Sequence, residues 1–523
     1  MDNRLKNLVG RVPAAVAAYD ALARSRPRTR YNLEQLAAHL PEAVEEARER
    51  AGQQTPGRRL LIFATLHYWI EQAAIVALVL RGLGHEVAVA YLPYSDWRKD
   101  INAFDLERQD MYTRRVLAPL DGFVRVLSLR GVKPSEAQPT PLMAAVERAA
   151  GFDVMYSLQR EEVDRDSALF RLRLNRNGLA CAAALECLRE AHPDAVIIPN
   201  GLVTELGVFY QAARFHGTKA ITYEFNDQRE QIWIAHDDIV MRQNTDELWK
   251  ARASRQLEPT EWTAIRDLEE ARQGGRIYGK GTRRWQDSPG SGSDVLRSEL
   301  MLDERPVVLL ATNVLGDSLA LGRNLFASSM AEWIEKTVRF FVNRPEVQLL
   351  VRVHPGERLT KGQSMVQVVE RAAAYMPEHI HVIGPHETAN TYDIMEIAGL
   401  GLVYTTTVGL EMAMRGVPVI VAGQTHYRGR GFALEPSTWD EYYEMLDRQL
   451  KDIGSGRLTA IQVEAAWRYA YQFFFEYPFD FPWRLMQFWR DYESWPVRRV
   501  LSDEGRAAFG DTFDHLAGEA IEW

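Results

Sequence analysis

Residues able to bind a phosphate ester follow a short apolar strand in VRVHPGE, residues 351–357. Pro355 ends the predicted strand and leaves the guanidinium of Arg352 and the imidazole of His354 at its carboxyl end. These groups could hold a monophosphate or a diphosphate through charge-assisted hydrogen bonds. A capped strand followed by a buried, purely structural histidine would have the same sequence pattern. The interpretation as a phosphate site therefore depends on the surrounding segments.

The strongest surrounding segment is YTTTVGLEMAMRGVPVIVAG, residues 404–423. Its predicted strand ends in three consecutive threonines, Thr405, Thr406 and Thr407. A helix is predicted to begin at Gly409, so hydroxyl groups and free helix N–H groups would converge on one anion. Glu411, expected on the exposed edge of that helix, could accept hydrogen bonds from both hydroxyls of a ribose. An acid near a helix start is also favourable by itself, by about a few tenths of a kcal/mol. Together, the threonines and the glutamate indicate a nucleotide pocket.

Two further loops are predicted at the same edge. In LLATNVLGDS, residues 309–318, Asn313 follows a strand, together with Gly316 and Asp317. In GQTHYRGRGF, residues 423–432, four polar side chains follow the next strand: His426, Tyr427, Arg428 and Arg430. Either loop could face a nucleotide or be an ordinary surface loop.

The segments that must position these residues alternate between strand and helix. Residues 1–57 read as polar helices, and residues 58–245 alternate short apolar strands with amphipathic helices, which predicts a parallel, doubly wound sheet. A helical or linker segment, 246–304, precedes a second series of the same kind, 305–455. The aromatic-rich segment 456–523 is predicted to form helices that pack back across both domains. Ligand sites in such sheets lie at the carboxyl ends of the strands.

Composition limits the functional class. A formal net charge of −9, with Lys and Arg scattered among acids, argues against a nucleic-acid binder. The two cysteines, Cys181 and Cys187, lie in one predicted helix, which favours neither a disulfide framework nor a zinc site. The N-terminus lacks the apolar run of a signal peptide, and no apolar stretch reaches the roughly 20 residues that span a bilayer. We therefore expect a cytoplasmic protein, compatible with peripheral association at the inner membrane face.

Taken as a set, TNVLGDS, EWIEKTV, VRVHPGE and YTTTVGLEMAMRGVPVIVAGQTHYRGRGF resemble the C-terminal half of the capsular polysaccharide biosynthesis family. That family comprises bacterial proteins similar to Kdo transferases and, more distantly, to sialyltransferases and teichoic acid polymerases. The resemblance covers residues 305–445. It implies a GT-B architecture, with two Rossmann-like domains facing across a cleft and the donor nucleotide in the second. It also implies that His354, Pro355, Thr406 and Thr407 bind the nucleotide phosphate. The chain departs from the family in having Thr where Ser is frequent, and Leu315-Gly316 where an aromatic residue is frequent, which leaves the donor open.

An inverting transfer also needs a base that deprotonates the acceptor hydroxyl. Several residues at strand ends of the first half could serve: His67, Glu71, Glu224, Asp227 and, less strongly indicated, Asn200 and Glu205. Each could equally be a solvated or structural side chain. No metal site is predicted, because the acidic pair Asp237-Asp238 lies outside the expected donor pocket.

The sequence thus predicts a metal-independent glycosyltransferase without a cofactor, using a CMP- or UDP-linked sugar and a saccharide or glycolipid acceptor. Two alternatives remain at this level. One is a non-hydrolysing sugar-nucleotide epimerase, which shares the fold and a His-Pro strand end, and the other is an inactive scaffold of a polysaccharide assembly complex. Polyol-phosphate transfer from a CDP-activated donor differs from sugar transfer mainly in what leaves with the nucleotide.

Overall fold

The computed structural model describes residues 3–23, 31–52, 54–132, 139–226, 230–279, 289–373 and 375–523. The chain divides into two compact units. The first consists of Met1–Asp153, Asp164–Met241 and Phe479–Glu522, and the second of Val154–Val163, Arg242–Pro478 and Trp523. The described parts of 246–304 therefore belong to the second unit, and the segment predicted as C-terminal helices is divided between the two.

The strands of the described chain are, in order, β1 Arg59–Thr65, β2 Glu86–Leu92, β3 Arg125–Ser128, β4 Ala195–Pro199, β5 Lys219–Phe225, β6 Gln231–His236, β7 Val307–Ala311, β8 Gln348–Arg352, β9 Ile380–Ile383, β10 Ala398–Val403, β11 Val419–Val421 and β12 Phe479–Asp480.

The helices are α1 Asn3–Val9, α2 Pro13–Ala23, α3 Glu34–Ala51, α4 His67–Gly82, α5 Ala103–Leu117, α6 Thr140–Leu158, α7 Ala168–Ala191, α8 Thr204–His216, α9 Asp246–Arg252, α10 Pro259–Gln273, α11 Ser293–Glu299, α12 Met330–Val342, α13 Met365–Glu370, α14 Thr391–Ile397, α15 Val408–Met414, α16 Trp439–Lys451, α17 Ala460–Tyr471, α18 Phe488–Ser494, α19 Val497–Val500 and α20 Asp503–Leu516. None of these helices combines the length and the apolarity needed to cross a membrane.

The first unit contains a seven-stranded sheet in the order β12-β6-β5-β4-β1-β2-β3. Strands β1 to β5 pair in parallel, whereas β6 and β12 are antiparallel additions at one edge. Strand β1 is buried along all but its first residue, as expected of a central parallel strand covered on both faces. Phe63 of β1 stacks on Phe209 of α8 with ring centroids 4.1 Å apart, which fixes that helix on the sheet.

The second unit contains a five-stranded, fully parallel sheet in the order β11-β10-β7-β8-β9. Val308 and Leu310 of β7 join the core cluster that includes Trp333 of α12. The alternate residue Leu309 is equally buried, so the opposite face of the sheet is covered as well. The sheet is therefore sandwiched between helical layers.

Both sheets have the same winding. Counted from the first strand of each parallel set, the order is third, second, first, fourth, fifth, which is the doubly wound order of Rossmann-like units. The predicted α/β class with two such units is confirmed. The strand order changes direction between β1 and β4 in the first sheet and between β7 and β10 in the second. The carboxyl ends of strands at such switch points are where ligands bind in these folds.

Candidate functional site

The carboxyl ends of three neighbouring strands are joined by side chains at the switch point of the second unit. Asn313, shortly after β7, accepts a hydrogen bond at Oδ1 from the backbone N–H of Thr405, after β10, at 3.2 Å. Thr312 accepts at Oγ1 from the backbone N–H of His354, after β8, at 3.1 Å. Asn313, His354 and Thr405, predicted separately from the sequence, thus meet at one edge of the sheet.

His354 is held in one tautomer by its own turn. Its Nδ1 atom accepts the backbone N–H of Gly356 at 3.0 Å, and Pro355 opens the 3₁₀ turn Pro355–Leu359. Because Nδ1 is an acceptor, the neutral ring carries its proton on Nε2. The side chain is half-buried and presents a hydrogen-bond donor suited to a phosphate oxygen.

Thr405 contributes a buried hydroxyl. Its Oγ1 atom is inaccessible to solvent and finds no hydrogen-bond partner in the part of the chain that the structure describes. An unsatisfied buried hydroxyl costs about 1–3 kcal/mol, so such groups mark places where a partner is required.

The start of α15 differs from the sequence-based expectation. The N–H groups expected to be free are used locally: Val408 donates to the Thr406 hydroxyl at 3.4 Å and Gly409 to the Thr406 carbonyl at 3.3 Å. Thr407 precedes the helix without a side-chain cap, and α15 has only seven residues. The expected convergence of free amides at this helix is therefore wrong for its first two residues.

Gly409 has a packing role in the structure. A Cβ atom at this position would lie 2.3 Å from the hydroxyl of Tyr427. That hydroxyl donates to the Thr406 carbonyl at 2.8 Å, and Tyr427 is fully buried. The Tyr427 hydroxyl therefore fixes the turn at Thr406, and Gly409 leaves the space that the Tyr427 side chain needs.

Glu411 was expected on an exposed helix edge, and this placement is wrong. Its side chain is buried and pairs with Arg272 of α10, whose Nη1 donates to Oε1 at 2.6 Å. The hydroxyl of Tyr392 donates to the same oxygen at 3.2 Å. Burial raises the pKa of Glu411, and the positive charge of Arg272 acts in the opposite direction. Binding of a ribose by Glu411 stays a prediction, and it would have to occur while Glu411 is paired with Arg272.

Arg352 is also buried, with its Nη1 atom donating to the Gly384 carbonyl at 2.7 Å. Burial lowers the pKa of Arg352 to about 10. Its guanidinium ties the end of β8 to the loop after β9, so the residue supports the sheet edge, and a direct phosphate contact stays a prediction.

The loop after β11 is occupied by internal contacts. His426 stacks on Phe473 with centroids 3.8 Å apart, and its Nδ1 lies 2.9 Å from the Tyr469 hydroxyl. Burial lowers the pKa of His426 well below its ordinary value, so the ring is neutral. Arg428 donates to three backbone carbonyls, and Arg430 to Thr245, Asp246 and the His426 carbonyl. The side chains of this loop are therefore engaged in internal contacts, which stabilise the carboxyl edge of the second sheet.

In the first unit, His67 lies directly after β1, at the beginning of α4. The preceding residue, Leu66, has φ 65° and ψ 148°, a conformation that L-residues rarely adopt and that is often found at functional sites. The Nδ1 atom of His67 is buried and unpaired among the described residues. Burial lowers the pKa of His67, so the neutral imidazole can accept a proton.

Glu71, one turn further along α4, is buried, and burial raises its pKa to about 7.

Glu224 and Asn200 meet at the same edge. Asn200, with φ 60°, donates from Nδ2 to Glu224 Oε2 at 2.8 Å. Burial raises the pKa of Glu224. Glu205 is buried and paired with Arg173 at 2.9 Å, which favours a structural role. Asp227 lies outside the described residues.

Asp237, the first residue of the acidic pair, has structural partners. Asp237 accepts from the Ala220 N–H at 3.0 Å and pairs with Arg214, and Cys181 and Cys187 are buried free thiols in α7. Within the described ranges, no group of three or more His, Cys, Asp and Glu side chains is arranged to hold a metal ion.

Sequence reasoning missed Thr312 and Arg272. Thr312 lies in the segment LLATNVLGDS, where its position directly after the strand is an available signal. Arg272 carries no such signal, because it lies in a polar helix far from Glu411 in sequence.

No protein-family model and no curated protein sequence matches this chain. Among solved structures, KpsC of Thermosulfurimonas dismutans, a β-Kdo 2,4 transferase, is similar over 62% of this chain and 88% of its own, with 16% identity and a TM-score of 0.36. The β-Kdo 2,7 transferase KpsC of the same organism aligns over 57% of this chain and 81% of its own, with 12% identity and a TM-score of 0.33. A UDP-GlcNAc 2-epimerase of Neisseria meningitidis bound to UDP-GlcNAc aligns over 80% and 100%, with 12% identity and a TM-score of 0.25. The neighbours thus include the Kdo transferases that the motifs resemble. Since these TM-scores lie below 0.5, the fold assignment rests on the two sheet topologies.

Proposed function

We propose that this chain is a glycosyltransferase that moves a sugar from a nucleotide-activated donor to a saccharide or glycolipid acceptor. The observation that carries the proposal is the joining of three strand ends at the second switch point, through Thr312 to His354 and through Asn313 to Thr405. The side-chain donors at this carboxyl edge, the imidazole of His354 and the hydroxyl of Thr405, suit the phosphate of a nucleotide. The resemblance of the same segments to the capsular polysaccharide family supports the choice of a sugar donor.

In the proposed reaction, the bond between the anomeric carbon and the nucleotide phosphate breaks, and its electron pair leaves with the phosphate. The Nε2–H of His354 and the hydroxyl of Thr405 would donate to the phosphate oxygens as negative charge develops there. Donors that are already oriented stabilise such charge without reorganising, and each contributes typically a factor of about 10² or more to the rate. The acceptor oxygen forms the new bond to the anomeric carbon and loses its proton to a base.

We assign the base to His67, with Glu224 as the competing candidate. The support for His67 is its position after β1, its Nδ1 atom, which is unpaired among the described residues, and the strained backbone of Leu66. The carboxylate of Glu224 is already engaged, because its Oε2 atom accepts a hydrogen bond from Asn200 at 2.8 Å, which opposes the rise in its pKa caused by burial. Comparing His67→Gln with Glu224→Gln separates the two, because only loss of the base should abolish turnover while nucleotide affinity stays unchanged.

The first experiment is a thermal-shift panel with CMP, UDP, GDP, ADP and dTDP. A nucleotide at a hundred times its Kd stabilises a protein by about 2.7 kcal/mol. Thr405→Val should weaken the response without loss of stability, because it removes a hydroxyl that has no partner among the described residues. No response from any nucleotide would contradict the proposed donor site.

Turnover then decides the reaction type. A transferase releases nucleotide only in the presence of an acceptor, whereas an epimerase converts the donor sugar alone. Nucleotide binding without either reaction would instead support the scaffold.

A further inference from the structure

A carboxylate of the chain itself occupies the N-terminus of α12. Glu161 Oε1 accepts the backbone N–H of Met330 at 2.9 Å, and Oε2 accepts that of Ala331 at 2.8 Å. Helix α12 has 13 residues, and its first amides point along an axis that favours negative charge. The helix start is thus an anion site that already holds an anion.

The position of α12 in the second unit indicates which ligand its N-terminus would bind. Helix α12 follows β7, the central strand of the second sheet, and β7 borders the switch point. In doubly wound folds, the helix after the first strand is where backbone amides hold the phosphates of a nucleotide. In this chain the same amides hold Glu161.

A second feature points to a ligand at this place. Tyr404 is 1% exposed, and its hydroxyl has no hydrogen-bond partner among the residues described. The Tyr404 ring lies 5.8 Å, between centroids, from the ring of Trp333 in the first turn of α12, and the negative charge of Glu161 adds to burial in raising the pKa of Tyr404. Because Tyr404 directly precedes Thr405, the anion site adjoins the site described above.

The segment 154–163, which carries Glu161, packs on the loops that follow β7 and β8. A Cβ atom on Gly316 would lie 2.2 Å from the Met155 carbonyl oxygen, and one on Gly362 would lie 2.2 Å from that of Gln159. The backbone N–H of Lys361 donates to the Gln159 side chain at 3.1 Å. Glu161 itself is half-buried, so solvent can reach the residue that holds the amides.

We propose that the α12 N-terminus is a phosphate site of this chain and that Glu161 is its internal competitor, displaced when a phosphate group of the donor binds. The proposal rests on the function proposed above. Displacement exchanges one anion for another at the same two amides, and the Tyr404 hydroxyl gains an acceptor. Donor affinity is then reduced by the fraction of time that Glu161 occupies the site.

The test uses inorganic pyrophosphate as the probe, with affinity measured by calorimetry on the full chain. Glu161→Ala should bind pyrophosphate at least about tenfold more tightly than the wild type. Glu161→Gln, which loses the charge and keeps one acceptor, should lie between them. Glu162→Ala is the matched control, because it removes the same charge from an exposed neighbour and should leave the affinity unchanged. Equal affinities in all four proteins, or a gain in Glu162→Ala as large as in Glu161→Ala, would overturn the proposal.

Hydrogen exchange on the wild type gives a second readout that needs no variant. Saturating pyrophosphate should speed exchange in residues 154–163 and keep the Met330 and Ala331 amides protected. Unchanged exchange in that segment would show that Glu161 is a permanent cap and would also overturn the proposal.

The two proposals can fail separately. If the wild type responds to a nucleotide and releases it in the presence of an acceptor while Glu161→Ala gains no pyrophosphate affinity, the inference fails and the proposed function stands. If Glu161→Ala gains pyrophosphate affinity while no variant binds or releases a nucleotide, Glu161 is a competitor for the phosphate site and the proposed function fails.

Discussion

Asn313 Oδ1 accepts the backbone N–H of Thr405 at 3.2 Å and so bridges the ends of β7 and β10 across the switch point of the second sheet. The bond fixes the direction of the backbone at the threonine turn. It also keeps the Asn313 side chain at the sheet edge, where it is half-buried. The geometry of the proposed phosphate site therefore depends on one side-chain amide.

Removing that amide should loosen the site more than the fold. Asn313→Ala is expected to lower the free energy of unfolding by about 0.5–1.5 kcal/mol, the usual net value of one hydrogen bond. Nucleotide affinity and turnover should both fall, because the Thr405 hydroxyl is no longer held in place. Asn313→Asp keeps the acceptor and is the control for stability. Denaturation and calorimetry check the two effects, and unchanged affinity in Asn313→Ala would contradict the role.

His354 offers a way to separate turn formation from catalysis. His354→Asn places an acceptor near the position of Nδ1 and so keeps the bond from the Gly356 N–H, while it removes Nε2. We expect near-normal stability and a loss of turnover by a factor of about 10² or more. His354→Ala should lose turnover and about 1 kcal/mol of stability, because the cap is lost as well. Full activity of His354→Asn would exclude a phosphate contact through Nε2.

The Arg272–Glu411 pair changes how a ribose contact must be tested. Glu411→Ala would leave a buried guanidinium without its carboxylate, and breaking such pairs costs about 3–5 kcal/mol. Glu411→Gln keeps the shape and an acceptor for Arg272 and should remain folded. If Glu411 also binds the ribose, Glu411→Gln should weaken nucleoside diphosphate binding but leave pyrophosphate binding unchanged. Equal nucleotide affinity in the wild type and Glu411→Gln would refute the ribose assignment.

Glu71 should make stability depend on pH. Its pKa in the folded chain is about 7, against an ordinary value of 4.5, so the folded state binds more protons than the unfolded state between these values. The free energy of unfolding should therefore fall as pH rises from 4.5 to 7, by up to about 3 kcal/mol. Glu71→Gln should flatten this dependence and be more stable than the wild type at pH 8. Denaturation at pH 5 and 8 checks it, with Glu162→Gln as the exposed control, and parallel pH profiles for wild type and Glu71→Gln would contradict the assignment.

The parallel strands were predictable because each central one is a continuous apolar run, as in β1 and β7. Strand β3, RVLS, carries no such signal, because it is short, partly exposed and half polar. Strand β6 follows β5 without an intervening helix, so this antiparallel edge does not fit the alternation of strand and helix from which the parallel sheet is predicted. The meeting of Asn313, His354 and Thr405 followed from strand ends alone, because parallel strands place their carboxyl ends at one edge.

The sequence by itself therefore determined the two doubly wound units and the edge at which the candidate site lies, because apolar periodicity is a local property of the chain. Only the tertiary structure decided which polar side chains are already paired. Glu411 meets Arg272 across 139 positions, and Glu161 meets Met330 across 169. Such pairings leave no local pattern, since burial and charge compensation are settled only when distant segments pack together.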